Sequence, residues 1–186
     1  MTFDRAQSIR RLKPQRQAPP LERRPDSQLP FVTTPPTAGG ELLLDTCVYL
    51  DVMQGRTPAE VDALLQIRTL NHSTVALSEM THRFGRLAPT HPATRNALRQ
   101  IAGAIDEIQP HRLGIPSTRA FGEAGMLAGL AARLSGQPSG VELLNDALLF
   151  LHARETGRAL LTANIAHFDH FDQLLPGNNL LFYRAI

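Results

Sequence analysis

The residues of this chain best suited by type and placement to do chemistry are acids at the ends of apolar runs. Asp45 closes Leu42-Leu43-Leu44 within Glu41–Asp51 (ELLLDTCVYLD). An unbroken run of that length reads as a strand buried on both faces, the pattern of a central strand in a parallel sheet. A carboxylate there is costly unless it is paired or bound to a cation, and the C-terminal edge of an open α/β sheet is where ligands bind. Glu79 follows Ser73–Leu77 (STVAL), whose β-branched and apolar residues predict a second strand. It therefore takes the equivalent edge position, at the start of a helix Glu79–Leu87 capped by Ser78. An acid in a first helical turn also complements the helix dipole. Asp146 lies within Val141–Thr156, a helix apolar around most of its circumference and so largely buried. Thr162 ends a third short strand, Ala159–Thr162, and Asn164 follows two residues later. Asn164 also suits the cap of a following helix. Three carboxylates with a hydroxyl and an amide form an oxygen ligand set for a hard divalent cation such as Mg²⁺. A site of that kind can activate water and stabilise an in-line phosphoryl displacement.

The elements that must position these residues alternate. Thr57-Pro58-Ala59-Glu60 reads as a capping box opening a helix that runs to about Leu70. A further helix runs from Thr90-His91-Pro92 to about Ile108, and His111–Leu113 is a weak strand. Ser117 caps Thr118–Leu134, which ends at Gly136 and carries Gly122, Gly125 and Gly129, a pattern that predicts close packing against another helix. Gly157 stops Val141–Thr156, and Leu180–Tyr183 is the last strand. Strands alternating with helices predict an α/β fold with a mostly parallel sheet flanked by helices. Asn145 reads as a polar neighbour of Asp146, and Asp51 and Asp169 as surface charges.

Composition sets the remaining bounds. The chain has 186 residues with 42% hydrophobic content, enough for one domain and an appendage. Residues 1–40 hold seven of the 19 basic residues, three of the 17 acids and seven of the 14 prolines, which leaves them at +4 and the remainder at −2. Such a segment predicts a disordered basic extension over 1–40, with Phe31–Gly40 as linker and the domain over 41–186. The extension suits non-specific contact with nucleic acid. No stretch is long and apolar enough for a membrane span, and Thr2–Lys13 lacks a signal-peptide apolar region. The single cysteine, Cys47, excludes an internal disulfide and a cysteine-based zinc cluster, and fits a reducing cytoplasm. The seven histidines show no zinc-ligand spacing, and neither a P-loop nor GxGxxG is present. His82 and Arg83, one turn beyond Glu79, read as a solvated helix face that is also placed to touch phosphate.

From LLLDT, VALSEMTHRFG and NDALLFLHARETGRALLTAN, the chain over about Glu41–Tyr183 resembles the PIN-domain ribonucleases, and within them toxins of the VapC type. The resemblance carries over Asp45, Glu79, Asp146, Thr162 and Asn164 as site residues, with Phe168 at the usual following phenylalanine. It implies a Rossmann-like PIN fold, Mg²⁺ or Mn²⁺ as cofactor and RNA as substrate. It also implies a small antitoxin as partner and a homodimer. The chain departs from the pattern in having Asn164 at the fourth acidic position, His167 before the phenylalanine, and the proline-rich extension. Asn164 keeps open a second expectation, a catalytically weak scaffold that binds RNA or an antitoxin. A phosphatase using Asp45 as nucleophile would want a second acid where Cys47 stands.

Overall fold

A computed structural model of the chain describes residues 3–33, 39–177 and 179–186. Its centre is a parallel sheet built from β1 (Leu42–Leu44), β2 (Leu70–Ser73), β3 (Leu113–Gly114), β4 (Ala159–Thr162) and β5 (Leu180–Phe182) in the order β3-β2-β1-β4-β5. The middle strand β1 pairs Leu43 with Asn71 of β2 on one side and with Leu160 of β4 on the other. Every pairing among these strands is parallel. The helices are α1 (Arg5–Leu12), α2 (Thr46–Met53), α3 (Ala59–Ile67), α4 (Thr74–Arg86), α5 (Thr94–Asp106), α6 (Thr118–Ser135), α7 (Val141–Thr156) and α8 (Ile165–Leu174).

The two-residue period of the strands divides the core into two layers. Leu43 and Leu160 face one layer, with Leu127 and Ala131 of α6, Phe150 of α7 and Phe168 and Phe171 of α8. Leu42, Leu44 and Leu161 face the other, with Val48, Val61, Leu64, Ala76 and Met80 from α2, α3 and α4. β1 and β4 are buried at every position, which is why both read as continuous apolar runs.

Most boundaries follow the sequence, and two do not. The second strand is Leu70–Ser73, which starts three residues before the expected STVAL, and Thr74–Leu77 opens α4 instead. Asn71 and His72 disguised the strand. Asn71 is fully buried, with its side-chain nitrogen donating to the Leu42 carbonyl at 3.2 Å and to Glu41 at 3.0 Å. Ser73 rather than Ser78 is the cap, accepting from the Val75 N–H at 3.2 Å. The expected capping box at Thr57 is also absent. Helix α3 begins at Ala59 without a side-chain cap, and the Thr57 hydroxyl donates to Asp62 at 2.5 Å. The weak strand falls at Leu113–Gly114, just after a 3-10 turn over Pro110–Arg112.

The N-terminal extension corrects the expectation of disorder wherever it is described. Leu12 of α1 is 1% exposed and belongs to the core layer of α6 and α7. Arg24 places its backbone N–H and its Nε on Asp169, at 2.7 and 2.5 Å, and reaches Asp172 at 2.7 Å. Asp169 is fully buried, so its carboxylate needs that partner and is no surface charge. Further along, Phe31 bridges Phe182 and the Val32 N–H donates to the Phe182 carbonyl at 2.8 Å, covering the otherwise open edge of β5. Composition pointed to disorder because the basic residues were counted as solvated. Several instead neutralise buried acids of the domain, and Leu12, Leu29 and Phe31 supply the apolar anchors. Part of the expected linker, residues 34–38, lies outside the described residues. Of the three glycines in α6, Gly122 alone admits a close approach, and its neighbour is the Phe3 ring of the extension rather than another helix. Asp51 is also buried, accepting from the Tyr183 hydroxyl at 2.8 Å and from Arg56 at 2.6 Å.

Candidate active site

All five residues carried by the sequence argument lie at or beside the C-terminal edge of the sheet. Asp45 follows β1 and is 4% exposed. It stands at the N-cap of α2, yet its side chain makes no capping bond. Its Oδ2 instead accepts from the Thr162 hydroxyl at 2.6 Å and from the Cys47 thiol at 3.0 Å. Burial, then the nearby charges of Asp146 and Glu79, push the Asp45 carboxyl up to about 7. The same burial and the Asp45 charge push the Cys47 thiol well above its ordinary range, so it is a donor to Asp45 and not a thiolate.

Glu79 reaches the edge differently from its sequence placement. It sits in the second turn of α4, six residues after the Ser73 cap. Its carboxylate accepts from the Thr46 hydroxyl and, at 2.9 Å, from the Asn145 amide. Asn145 is therefore a residue that holds Glu79, a role its position beside Asp146 signalled only weakly. Asp146 points into the same cleft from the first half of α7. Its Oδ2 lies 2.9 Å from the Asn164 amide nitrogen and 2.6 Å from Nδ1 of His167. The bond to Asp146 raises the basicity of His167, against the opposing effect of burial. Asn164 caps α8, as its position suggested, through a long 3.5 Å contact from the His167 N–H, and it also donates to Asp146. Its own N–H is held by the Thr162 hydroxyl at 2.9 Å.

These residues line a cleft of about 920 Å³. The basic residues that line the cleft, His82, Arg83 and Arg86, come from α4, the helix that also carries Glu79. Among the described residues neither Arg83 nor Arg86 has a side-chain hydrogen bond or ion pair, and the Arg83 Nε is a buried donor without a partner. The helix face expected to be solvated thus forms one wall of the cleft.

The donor chemistry suits a divalent cation. Burial and the charges of Asp146 and Glu79 together disfavour ionisation of Asp45, so the cluster is short of positive charge. The acids are engaged in their own hydrogen bonds, and among the described residues no group of three His, Cys, Asp or Glu stands ready to enclose an ion.

Comparison with solved structures identifies the architecture. The chain is similar to VapBC2 from Rickettsia felis bound to a DNA fragment from its promoter, with 16% identity and a TM-score of 0.51 over 78% of this chain and 98% of that one. It is similar to FitAcB from Neisseria gonorrhoeae at 16% identity and TM-score 0.54, over 76% and 96%. It is also similar to DNA-bound VapBC from Salmonella typhimurium at 21% identity and TM-score 0.51, over 76% and 97%. At these identities the likeness shows the fold, a PIN-type α/β architecture. No family model and no curated protein sequence matches the chain. The PIN fold places Asp45, Thr162 and the start of α4 together because β1, β4 and β2 are adjacent parallel strands whose C-terminal ends share one edge.

Proposed function

We propose that the chain is a metal-dependent endoribonuclease and the toxin of a type II toxin–antitoxin pair, with RNA as substrate and Mg²⁺ or Mn²⁺ as cofactor. The observation that carries this reading is the convergence of Asp45, Glu79 and Asp146 on one cleft that Arg83 and Arg86 also line. A cleft with acids beside unpaired guanidiniums suits a polyanion whose reacting phosphate approaches a cation while its flanking phosphates meet arginine.

Asp45, Glu79 and Asp146 would hold the cation, with the Asn164 amide oxygen as a neutral fourth donor. When bound, a divalent cation would supply positive charge to the reacting phosphate and lower the pKa of a bound water. The chain does the rest. Thr162 fixes the Asp45 carboxylate, Thr46 and Asn145 fix Glu79, and His167 steadies Asp146. Arg83 carries the buried unpartnered donor and holds the phosphate next to the scissile one.

The partner is proposed to be a small antitoxin, as the similar solved chains belong to VapBC and FitAcB assemblies. A homodimer in the cytoplasm completes the reading. Among the described residues no helix is long and apolar enough to cross a membrane.

One observation favours a second reading. Asp146 is already held by Asn164 and His167 and no three-ligand group stands preassembled, as expected of a PIN scaffold that binds RNA or a partner without cutting. Incubation of purified protein with a mixed RNA pool separates the two. Cleavage that requires Mg²⁺ or Mn²⁺ and stops on chelation supports the nuclease. RNA retention without cleavage at any metal concentration supports the scaffold.

A further inference from the structure

The far end of α7 from the acids carries a second charged feature. Arg154 lies eight residues beyond Asp146, about 12 Å along the helix. It borders a surface cavity of about 520 Å³ together with Gln7, Arg10 and Arg11 of α1 and Arg119 and Glu123 of α6. Glu123 is 2% exposed and is satisfied from within this group. It accepts from the Ser8 hydroxyl at 3.1 Å and from Arg11 at 2.7 Å, and the Arg119 Nε stands 3.8 Å away.

The charges do not balance. Four guanidiniums line the cavity with one buried carboxylate, while two further acids are engaged elsewhere: Glu155 by the backbone N–H and hydroxyl of Ser117 at 2.8 and 2.6 Å, and Asp172 by Arg24 at 2.7 Å. Arg154 directs its Nη1 to the carbonyl oxygens of Leu175 and Pro176, at 3.1 and 2.8 Å, which carry no net charge. Arg10 has no hydrogen-bond or ion-pair partner among the described residues. Burial, followed by the Arg11 charge, weakens the hold of Arg154 on its proton, with Asp172 and Glu123 offsetting only part of this. A cavity walled by converging guanidiniums short of negative charge is complementary to a tetrahedral oxyanion, whose several acceptors can each take an N–H pair.

We propose that this cavity binds a phosphate group through Arg10, Arg11, Arg119 and Arg154, and that the bound anion locks the N-terminal extension onto the domain. Two of the arginines come from α1 and two from α6 and α7, so occupancy and docking are linked. The phosphate is that of a small phosphomonoester or inorganic phosphate, or a backbone phosphate of RNA. The inference is independent of whether the acidic cleft cuts RNA.

Thermal unfolding of the full chain, in inorganic phosphate and in chloride at matched ionic strength, tests it. Wild type is expected to gain several degrees in phosphate over chloride. The double variant Arg10→Ala with Arg119→Ala, which leaves Arg11 on Glu123, is expected to lose the phosphate gain when its own melts in phosphate and in chloride are compared. Absence of a phosphate gain in wild type overturns the proposal, as does an equal gain in the double variant. A second arm measures RNA affinity in the Asp146→Asn background. Tenfold weaker binding on adding the two arginine changes, with phosphate competing, assigns the site to RNA backbone. Unchanged RNA affinity, with the phosphate gain present in wild type and lost in the double variant, assigns it to a small phosphate ligand.

Discussion

The Thr162 hydroxyl donates to Asp45 Oδ2 at 2.6 Å, tying the end of β4 to the end of the neighbouring strand β1. The same hydroxyl accepts from the Asn164 N–H at 2.9 Å. One threonine therefore sets both the orientation of the most buried acid of the cleft and the path of the chain into α8. This relay runs in one direction, from backbone N–H to hydroxyl to carboxylate, and it works best when Asp45 is ionised and accepts.

Asp45 makes the metal-free protein sensitive to pH. Its folded-state acidity lies at about 7, against an ordinary value of 3.8. Between those values the folded state keeps a proton that the unfolded state has lost, so stability falls as pH rises from about 4 to about 7 and then levels off. The whole effect reaches up to about 4 kcal/mol in the limit of no relaxation. Thermal melts in chelator across that range should show the decline in wild type and a flatter profile in Asp45→Asn. Raising the pH with saturating Mg²⁺ present should not produce the decline, because the cation replaces the missing positive charge.

Asp45→Asn and Asp146→Asn should each remove detectable RNA cleavage while leaving the fold intact, as judged by circular dichroism and a cooperative melt. Without metal both variants should melt at or above the wild-type temperature, since each removes a like charge from the cluster. Asn145→Ala keeps all three carboxylates and frees only Glu79 from its 2.9 Å contact. A loss of 10- to 100-fold in metal affinity or rate is expected, typical of removing a residue that orients a ligand. Wild-type cleavage by Asn145→Ala would leave Glu79 oriented by Thr46 alone.

The extension should contribute to stability. Removing residues 1–38 would take Leu12 and Leu29 from the core layer and leave Glu123 and Asp169 buried without their arginines. A narrower change is Arg24→Ala, which strands the fully buried Asp169 carboxylate. Breaking one side of such a pair typically costs about 3–5 kcal/mol, and denaturant unfolding should show a midpoint shift of that order. A truncated chain that melts with the wild type would mean that α1 and Arg24 rest on the domain without holding it.

Legibility followed the chemistry of each signal. Val141–Thr156, Ala159–Thr162 and the Asp45 junction were readable because dense apolar runs end in glycine or in a costly acid, and few physical explanations compete. The second strand was not, because Leu70–Ser73 buries an asparagine whose partner, the Leu42 carbonyl, is a long-range contact. Glu79 was found despite the misplaced strand, since moving the helix start back to Thr74 still leaves it facing the cleft. The roles of Asn145 and His167 and the burial of Asp51 and Asp169 depend on partners 21 to 145 residues away and leave no local pattern. The extension was misread for the same reason: its arginines pair with acids that sequence distance hides.

Asn164 separates the nuclease from the scaffold most sharply. Its amide nitrogen donates to Asp146 while its carbonyl oxygen receives the long contact from the His167 N–H. An aspartate here cannot donate, so Asn164→Asp would set two carboxylates against each other in the metal-free protein and should lower its melting temperature. Metal reverses the sign, because the cluster of Asp45, Glu79 and Asp146 gains a fourth charge with which to hold a cation. Calorimetric titration should therefore show one tight ion in wild type and tighter binding in Asn164→Asp, with cleavage reaching its plateau at lower metal concentration. Asn164→Ala should weaken cleavage less than Asp146→Asn does, since water replaces a neutral donor more readily than a charged one. Its loss of the α8 cap should cost about 1 kcal/mol. Should Asn164→Asp leave metal affinity unchanged while lowering stability, Asn164 would be a cap and a tether for Asp146, and the cation would be held by the three acids alone.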